Sequence, residues 1–586
     1  MIVTVSLLLA SYVVYWTVRL ASNISKAKST GLPVRWTPVS PANPFWIVLG
    51  KPISRLLRAV LPPFLSDWTY FNTIDWHWLD RLHHDCAVHK QNGDTFMQAT
   101  PSGLQLHTRD PAVAEQLMKT CPKPDHIAKP LEGCGPNLVS SSDEDWPRHR
   151  KITVSTLSDR NNRLVWAETV RQTSGLVRSY QARGGNMTNP QEDIRRLYLN
   201  MFSAVCFGKP LEFDQTAGGG KVPEGHQRSY RYCLETSLRD IFIMHVVPRW
   251  VAGLPSVLVP RKIAEFFAAS REMLQYLDEM IKACRDELRD GGEVVPRSGD
   301  NLLRITVRNG LGFKGQGEEQ RSRMYLADDE VRGNLFIYSL GGHESNAHTF
   351  TYALYFLAAY PDAQEWLAEE LEASCPADAD LETEETYFGI MSKLQRTLAV
   401  MHETLRLYPS IIFLPKTTAS ECVTLHLGCD NDAVAATAQR PILLPPRTNI
   451  WVNMCGMQVH PDVWGADARA FRPSRWIGGG GGGGGATGAD EFAAPSMAAG
   501  AAFVAWGGGK RVCPGVKFSQ AAFAAGVASL LVGGGGRRRR VRVVPREGEG
   551  EAAARQRAME VLDDSYAGTT VLMRRPGDVR LRLVDV

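Results

Sequence analysis

Trp506-Gly507-Gly508-Gly509-Lys510-Arg511-Val512-Cys513-Pro514-Gly515 is the stretch on which the reading of this chain turns. An apolar, helix-forming run from Val516 to Leu531 follows it. A glycine-rich bend just before a helix lets the backbone approach a flat ligand closely, because no Cβ intervenes. Cys513 then lies near the N-terminus of that helix, where the helix dipole and the nearby Arg511 favour thiolate over thiol. Alone, the stretch also suits a structural cysteine buried in a loop, so the rest of the chain has to decide.

Three other patterns bear on the choice. In Glu403-Thr404-Leu405-Arg406 the i, i+3 spacing puts carboxylate and guanidinium on one helix face. Such pairs abound on solvated helices, but this one is embedded among Leu405, Leu407, Tyr408 and Pro409, which predicts a buried pair needing further partners. Gly341-Gly342-His343-Glu344-Ser345-Asn346 falls midway along a helix expected from about 328 to 359, begun by Asp328, Asp329 and Glu330 and stopped by Pro361. Two glycines inside a helix cost roughly 1 kcal/mol each relative to alanine, so a reason for them is expected. A packing-driven kink with an exposed Glu344 is the bland reading. Finally, Trp146-Pro147-Arg148-His149-Arg150 places a Trp and an Arg four residues apart, a spacing common by itself. His343 and His149 read as ordinary helix residues.

Taken together and in this order, the patterns resemble the cytochrome P450 family, in its fungal, microsomal-type form. Gly509, Arg511, Cys513 and Gly515 match F-x-x-G-x-R-x-C-x-G, with Trp506 in the Phe place. Glu403 and Arg406, with Arg475 of Phe471-Arg472-Pro473-Ser474-Arg475-Trp476, match the family's structural Glu–Arg–Arg network; Ser474 departs from the usual Glu. The resemblance implies a mainly α fold with a small segregated β region behind an N-terminal transmembrane anchor. It implies haem with Cys513 as the axial metal ligand, a soft donor suited to haem iron. Trp146, Arg150, Trp506, Gly509, Arg511 and Gly515 would hold that cofactor, Trp146 and Arg150 at a propionate. Glu344 and Ser345 would be catalytic, delivering protons to dioxygen, with Ser345 lacking the rotamer-fixing methyl of the usual Thr. Leu340, Gly341, Ile412, Phe413 and Leu414 would line the substrate pocket, beside Ile411.

The activity so implied is a monooxygenase that hydroxylates or epoxidises a lipophilic small molecule, in fungal secondary-metabolite biosynthesis. Electrons would come from NADPH-cytochrome P450 reductase, with cytochrome b5 as a second donor. Lys510, Lys517, Arg148 and Lys151 would form a basic docking face for the reductase. Two other classes stay open: a haem-thiolate isomerase or dehydratase needing no external electrons, and a non-enzymatic haem sensor or carrier. Turnover without reductase marks the first, haem binding without NADPH consumption the second.

Outward from these motifs, the 586 residues carry 44% apolar and 22% charged residues, a globular composition that excludes wholesale disorder. The formal charge is +4, and the stretch 537–586 alone holds 12 Arg against 8 acidic residues. A basic excess confined to a tail that begins Arg537-Arg538-Arg539-Arg540 reads as a solvated, poorly ordered run, not a nucleic-acid face. Eleven cysteines at irregular spacings, with no C-x-x-C, give neither a disulfide framework nor a zinc ribbon and fit a reducing compartment.

Ile2 to Val18 is almost wholly apolar and Arg19 closes it. At 1.5 Å per residue such a run spans roughly 26 Å, enough for a thin reticulum-type bilayer. Arg19, Lys26 and Lys28 follow it and no cation precedes it, so the expectation is a single-pass anchor in the endoplasmic reticulum with a cytosolic catalytic domain. The sequons Asn23-Ile24-Ser25 and Asn186-Met187-Thr188 should then stay unmodified. The expected division is 1–19 anchor; 20–79 Pro-rich linker and membrane-proximal segment, with Phe45, Trp46, Leu61, Phe64, Trp68, Phe71, Trp76 and Trp78; and 80–586 catalytic domain. Residues 478–502 and 533–560 are expected to be flexible insertions. Periodicity predicts helices near 143–160, 189–206, 261–290, 327–360, 362–373 and 392–408, and strands near 95–107, 421–427, 442–453 and 579–585.

Overall fold

The computed structural model describes residues 2–40, scattered positions from 43 to 62, and 86–214, 222–241, 243–289, 300–310, 326–376, 380–427, 440–478, 502–533 and 537–586. The Gly-rich insertion expected over 478–502 lies outside these apart from its end residues, as do Phe45, Phe64, Trp68, Phe71, Trp76 and Trp78.

A helix from Asp328 to Ala359 runs through the core, with nearly all residues from Val331 onward buried. A helix buried on every side is an interior one, and its polar residues, Asn334, His343, Glu344 and His348 among them, are buried with the rest. Its start is fixed by the Glu330 carboxylate, which accepts the Ala327 N–H at 2.8 Å. Around it pack the helices Pro190–Phe207, Gln395–Leu407, Val516–Leu531 and Glu551–Asp563. Two of these contacts depend on glycine. A Cβ on Gly526 would run into the Phe350 ring, and one on Gly342 would overlap Phe202.

The strands form four small sheets in a mainly helical fold, and they are not gathered into the one segregated region that the sequence predicts: the strand Arg539–Val543 and the hairpin 565–573 lie against the central helix. One sheet has the order β1-β2-β3-β8-β5, where β1 is Val34–Trp36, β2 Thr95–Thr100, β3 Gly103–Thr108, β5 Phe413–Thr417 and β8 Asn449–Asn453. β5 pairs antiparallel with β8, Lys416 opposite Ile450. β6 (Val423–Leu427) and β7 (Arg440–Leu444) make a hairpin, as do β10 (Ser565–Ala567) and β11 (Val571–Met573). β4 (Asn186–Met187), β12 (Leu581–Asp585) and β9 (Arg539–Val543) make the last sheet. The six expected helices and four expected strand regions are all present, to within a few residues at their ends.

The C-terminal region corrects two expectations. Residues 537–560 are no flexible insertion: they contain β9 and most of the helix Glu551–Asp563, whose Ala554 and Ala558 are buried. The arginine run is solvated only in its first half: Arg537 and Arg538 are exposed, whereas Arg539 and Arg540 are buried. Arg539 donates to the carbonyls of Ser529 (3.2 Å) and Leu530 (3.1 Å), capping the negative end of the helix Val516–Leu531. Arg540 grips Glu365 through Nε and Nη2 and reaches Glu372 at 3.0 Å. Gln364 closes the edge of β9, accepting from Val541 N–H at 2.7 Å and donating to its carbonyl at 2.9 Å.

The N-terminal segment is one helix from Ile2 to Lys28, so it continues past Arg19 through the first residues assigned to the linker. Asn23 is buried where this helix meets β2, its amide nitrogen donating to Thr100 O at 2.8 Å. Among the described residues no helix is long and apolar enough to cross a membrane.

Candidate haem-thiolate site

Cys513 leaves a short 3-10 turn, Gly509–Arg511, just before the helix Val516–Leu531. Its backbone N–H donates to Trp506 O at 2.9 Å, folding the loop back on itself. Gly507 and Gly509 take positive φ of 75° and 67°, and a Cβ on Gly509 would meet the Met118 carbonyl. These glycines are therefore required by backbone geometry. The Gly515 N–H points at Cys513 Sγ, 3.4 Å away. Cys513 is exposed, yet burial pushes its thiol pKa up, against the pull of Gly515 N–H and Arg150. The cation that acts on the sulfur is thus Arg150, not the expected Arg511, whose Nη2 is held by Asp143 at 2.6 Å. Nor do dipole and cation ionise the thiol by themselves; a coordinated metal would.

Arg150, on the helix Trp146–Thr156, donates to Val512 O at 2.7 Å and so ties that helix to the cysteine loop. The Trp146 ring lies between two guanidiniums, Arg150 at 6.0 Å and Arg511 at 5.0 Å from its centroid. Trp506 Nε1 donates to Ser519 Oγ at 3.2 Å. Arg148 is not available for docking a reductase, because it forks onto Glu330 at 2.6 and 2.7 Å. Lys517 meets Asp159 at 2.8 Å, and both are exposed.

The predicted Glu–Arg–Arg network is present and fully buried. Arg406 Nε and Nη2 each lie 2.8 Å from a Glu403 oxygen, and Arg475 Nε donates to the same carboxylate at 2.9 Å. The sequence reading missed three members. Trp476 Nε1 donates to Glu403 at 3.0 Å, Arg472 N–H at 2.9 Å, and Asp467 receives Arg475 at 3.3 Å. Glu403 faces two buried guanidiniums, and the partly exposed Asp467 shares the charge of Arg475 while also taking Arg472 Nη1 at 2.9 Å.

On the central helix, Gly341 is exposed in the midst of buried neighbours, and a Cβ there would meet nothing within 4 Å. Ser345, one turn on, is half-buried and donates to Gly341 O at 2.7 Å. Glu344 faces elsewhere. It is buried against Arg195 of the helix Pro190–Phe207, Nη2 to Oε1 2.6 Å, and Arg195 in turn reaches Glu192 at 3.1 Å. Burial pushes its carboxyl up, but His343 and Arg195 outweigh it and hold it below the ordinary range. The bland reading, an exposed Glu344, is excluded. Of the expected pocket residues, Leu340 and Ile412 are buried, while Phe413 and Leu414 are half-buried. Phe413 stands edge-on to Trp451 and Leu414 approaches Gly507.

These residues fit a haem. The Cys513 thiol is accessible and the central helix is open at Gly341, as an iron ligand and a flat group would need. Lys123 Nζ is buried with no hydrogen-bond partner, its pKa lowered to about 8 by burial and then by Arg511. Lys416 on β5 is also lowered, by burial, and feels Arg511 and Asp143. An orphaned ammonium beside a second lysine suits the acid groups of such a cofactor. Neither lysine stands in a motif; only the basic side chain just after Leu414 could have hinted at one.

A family model described as cytochrome P450 matches residues 80–532. A cytochrome P450 monooxygenase of Penicillium rubens, prx9, is 27% identical over 96% of this chain and 94% of its own length. The phomenoic acid biosynthesis cluster cytochrome P450 monooxygenase of Leptosphaeria maculans is 24% identical over 90% of this chain and 89% of its own. A crystal structure of a cytochrome P450, CYP102L1, superposes with a TM-score of 0.60 over 86% of this chain and 94% of that one, at 16% identity. With the thiol, the buried Glu–Arg–Arg cluster and the open central-helix stripe in the order the family requires, the chain belongs to the cytochrome P450 family of oxidoreductases.

Proposed function

We propose that this chain is a membrane-bound haem-thiolate monooxygenase that hydroxylates or epoxidises a lipophilic small molecule in fungal secondary metabolism. The observation that carries the reading is an accessible Cys513 thiol at the start of the helix Val516–Leu531, in a chain whose central helix is open at Gly341. Cys513 would be the axial ligand, with Trp146, Arg150, Lys123 and Lys416 holding the acid groups. Bound there, the haem supplies dioxygen activation, favoured by thiolate donation. The chain's own residues do the rest. Gly341 leaves the helix surface open, and Ser345 keeps its hydroxyl on that stripe by donating back to Gly341 O. Arg195 pairs with Glu344 and with the half-exposed Glu192, so the Glu344 carboxylate is held in one place on the central helix, where it can take up or hand on a proton. Ile412, Phe413 and Leu414 offer apolar surface to substrate.

NADPH-cytochrome P450 reductase, with cytochrome b5, is the proposed electron source, docking at Lys510 and Lys151, both exposed. Secondary metabolism is supported by the phomenoic acid cluster relative. The membrane assignment rests on the N-terminal helix, which exposes Leu7, Tyr12, Val13, Val14, Tyr15 and Val18 with no protein surface to cover them. Arg19, Lys26 and Lys28 after the apolar run support a body on the cytosolic face of the endoplasmic reticulum. The deciding measurement is the carbon monoxide difference spectrum of the reduced protein. A Soret band displaced as sulfur ligation requires is expected, and C513A should lose it. Product formation in the absence of reductase would assign the rearranging class instead.

A further inference from the structure

His348 has no role in the motifs above. It is buried on the central helix, and both ring nitrogens meet backbone carbonyls: Nδ1 lies 2.7 Å from Val571 O and Nε2 2.8 Å from Tyr408 O. The two carbonyls belong to different elements, β11 and the end of the helix Gln395–Leu407. They are also joined to each other, since Val571 N–H donates to Ser410 O at 3.2 Å. The Tyr352 ring stacks on the imidazole at 4.3 Å, and Tyr352 OH bonds Ser565 Oγ of β10 at 2.6 Å. Tyr408 OH reaches Asp563 just before that hairpin. The imidazole thus lies between β11 and the segment leading into Ile411–Phe413, and Tyr352, one turn on, ties β10 to the same stretch of helix.

Its place on the helix gives this a purpose. At 3.6 residues per turn, positions 341, 345, 348 and 352 form one stripe. At Gly341 the stripe faces open space, and at His348 the hairpin and the Tyr408–Ile412 segment close over it. We propose that His348 is a positioning residue that clamps the β10–β11 hairpin and the Tyr408–Ile412 segment to the central helix, and so sets the far wall of the substrate pocket. This rests on the pocket reading above. A neutral imidazole has one N–H, so one carbonyl is bonded at a time unless the ring takes a second proton. Burial opposes that proton and the carbonyls favour it; Glu344, Tyr352, Tyr408 and Asp563 are the titratable groups around the ring.

The test uses the holoprotein and its H348F, H348L and H348Q variants. Hydrogen exchange is followed over residues 564–574, and the iron is titrated spectrally with imidazole and with n-octylimidazole. Imidazole reads the iron alone, whereas the octyl tail reads the far wall. In H348F, exchange at Val571 should quicken and octylimidazole bind more weakly, each about tenfold, with imidazole affinity unchanged. H348Q, which restores an N–H donor, should recover much of both. H348L is read the same way should the bulkier ring prevent accumulation. Exchange and tail affinity equal to wild type in H348F or H348L would overturn the proposal. A missing carbon monoxide band in the wild type would instead overturn the haem reading and leave the exchange result standing.

Discussion

Adjacent residues in one helix turn carry opposite constraints. G342A should destabilise the protein by about 1–3 kcal/mol through overpacking, because its methyl enters the Phe202 ring. G341A should fold at least as well as wild type, since alanine gains roughly 1 kcal/mol in a helix, yet it should lower turnover by narrowing the open stripe. Thermal melting and product assays on the two variants separate these effects. Glu403 bears a heavier load. E403Q removes the charge facing two buried guanidiniums and should cost about 3–5 kcal/mol, read as loss of haem-loaded protein on expression. His402, ringed by Trp476, Phe503 and Trp506, has its pKa lowered to about 4 by burial. Unfolded, it takes its proton near 6.5, so the unfolded state binds more protons between these values and stability falls as pH drops through that window. H402F should flatten the acid limb of a stability–pH curve by roughly 2–3 kcal/mol between pH 7 and 4.

At the scale of elements, much was legible because local chemistry dictated it. The cysteine loop is marked by glycines whose positive φ is required, and the central helix by an acidic start and a proline stop. What stayed hidden was non-local. Arg195 finds Glu344 across 149 positions and Trp476 finds Glu403 across 73, separations no periodicity encodes. The arginine run misled for the same reason: Arg539 and Arg540 read as a solvated tail because their partners, helix-end carbonyls and Glu365, lie far away in sequence. Gln364 is a further case. Q364L should cost about 1–3 kcal/mol, because it strands both backbone groups of Val541 in the interior, and exchange at the Val541 amide should quicken with it.

For the molecule as a whole, removing residues 2–18 should leave a protein that keeps its carbon monoxide band but no longer sediments with microsomes. The cut spares Asn23 and the turns packed on β2. Expressed full-length protein should show no mobility shift on glycosidase treatment. The nitrogen that a sugar would occupy at the first sequon already donates to Thr100 O. The uninterrupted Ile2–Lys28 helix has a mechanical corollary. A pivotless strut bolted to a sheet cannot swivel, so a catalytic body held to lipid by this helix, as proposed, would ride at one inclination and turn the same flank to the leaflet.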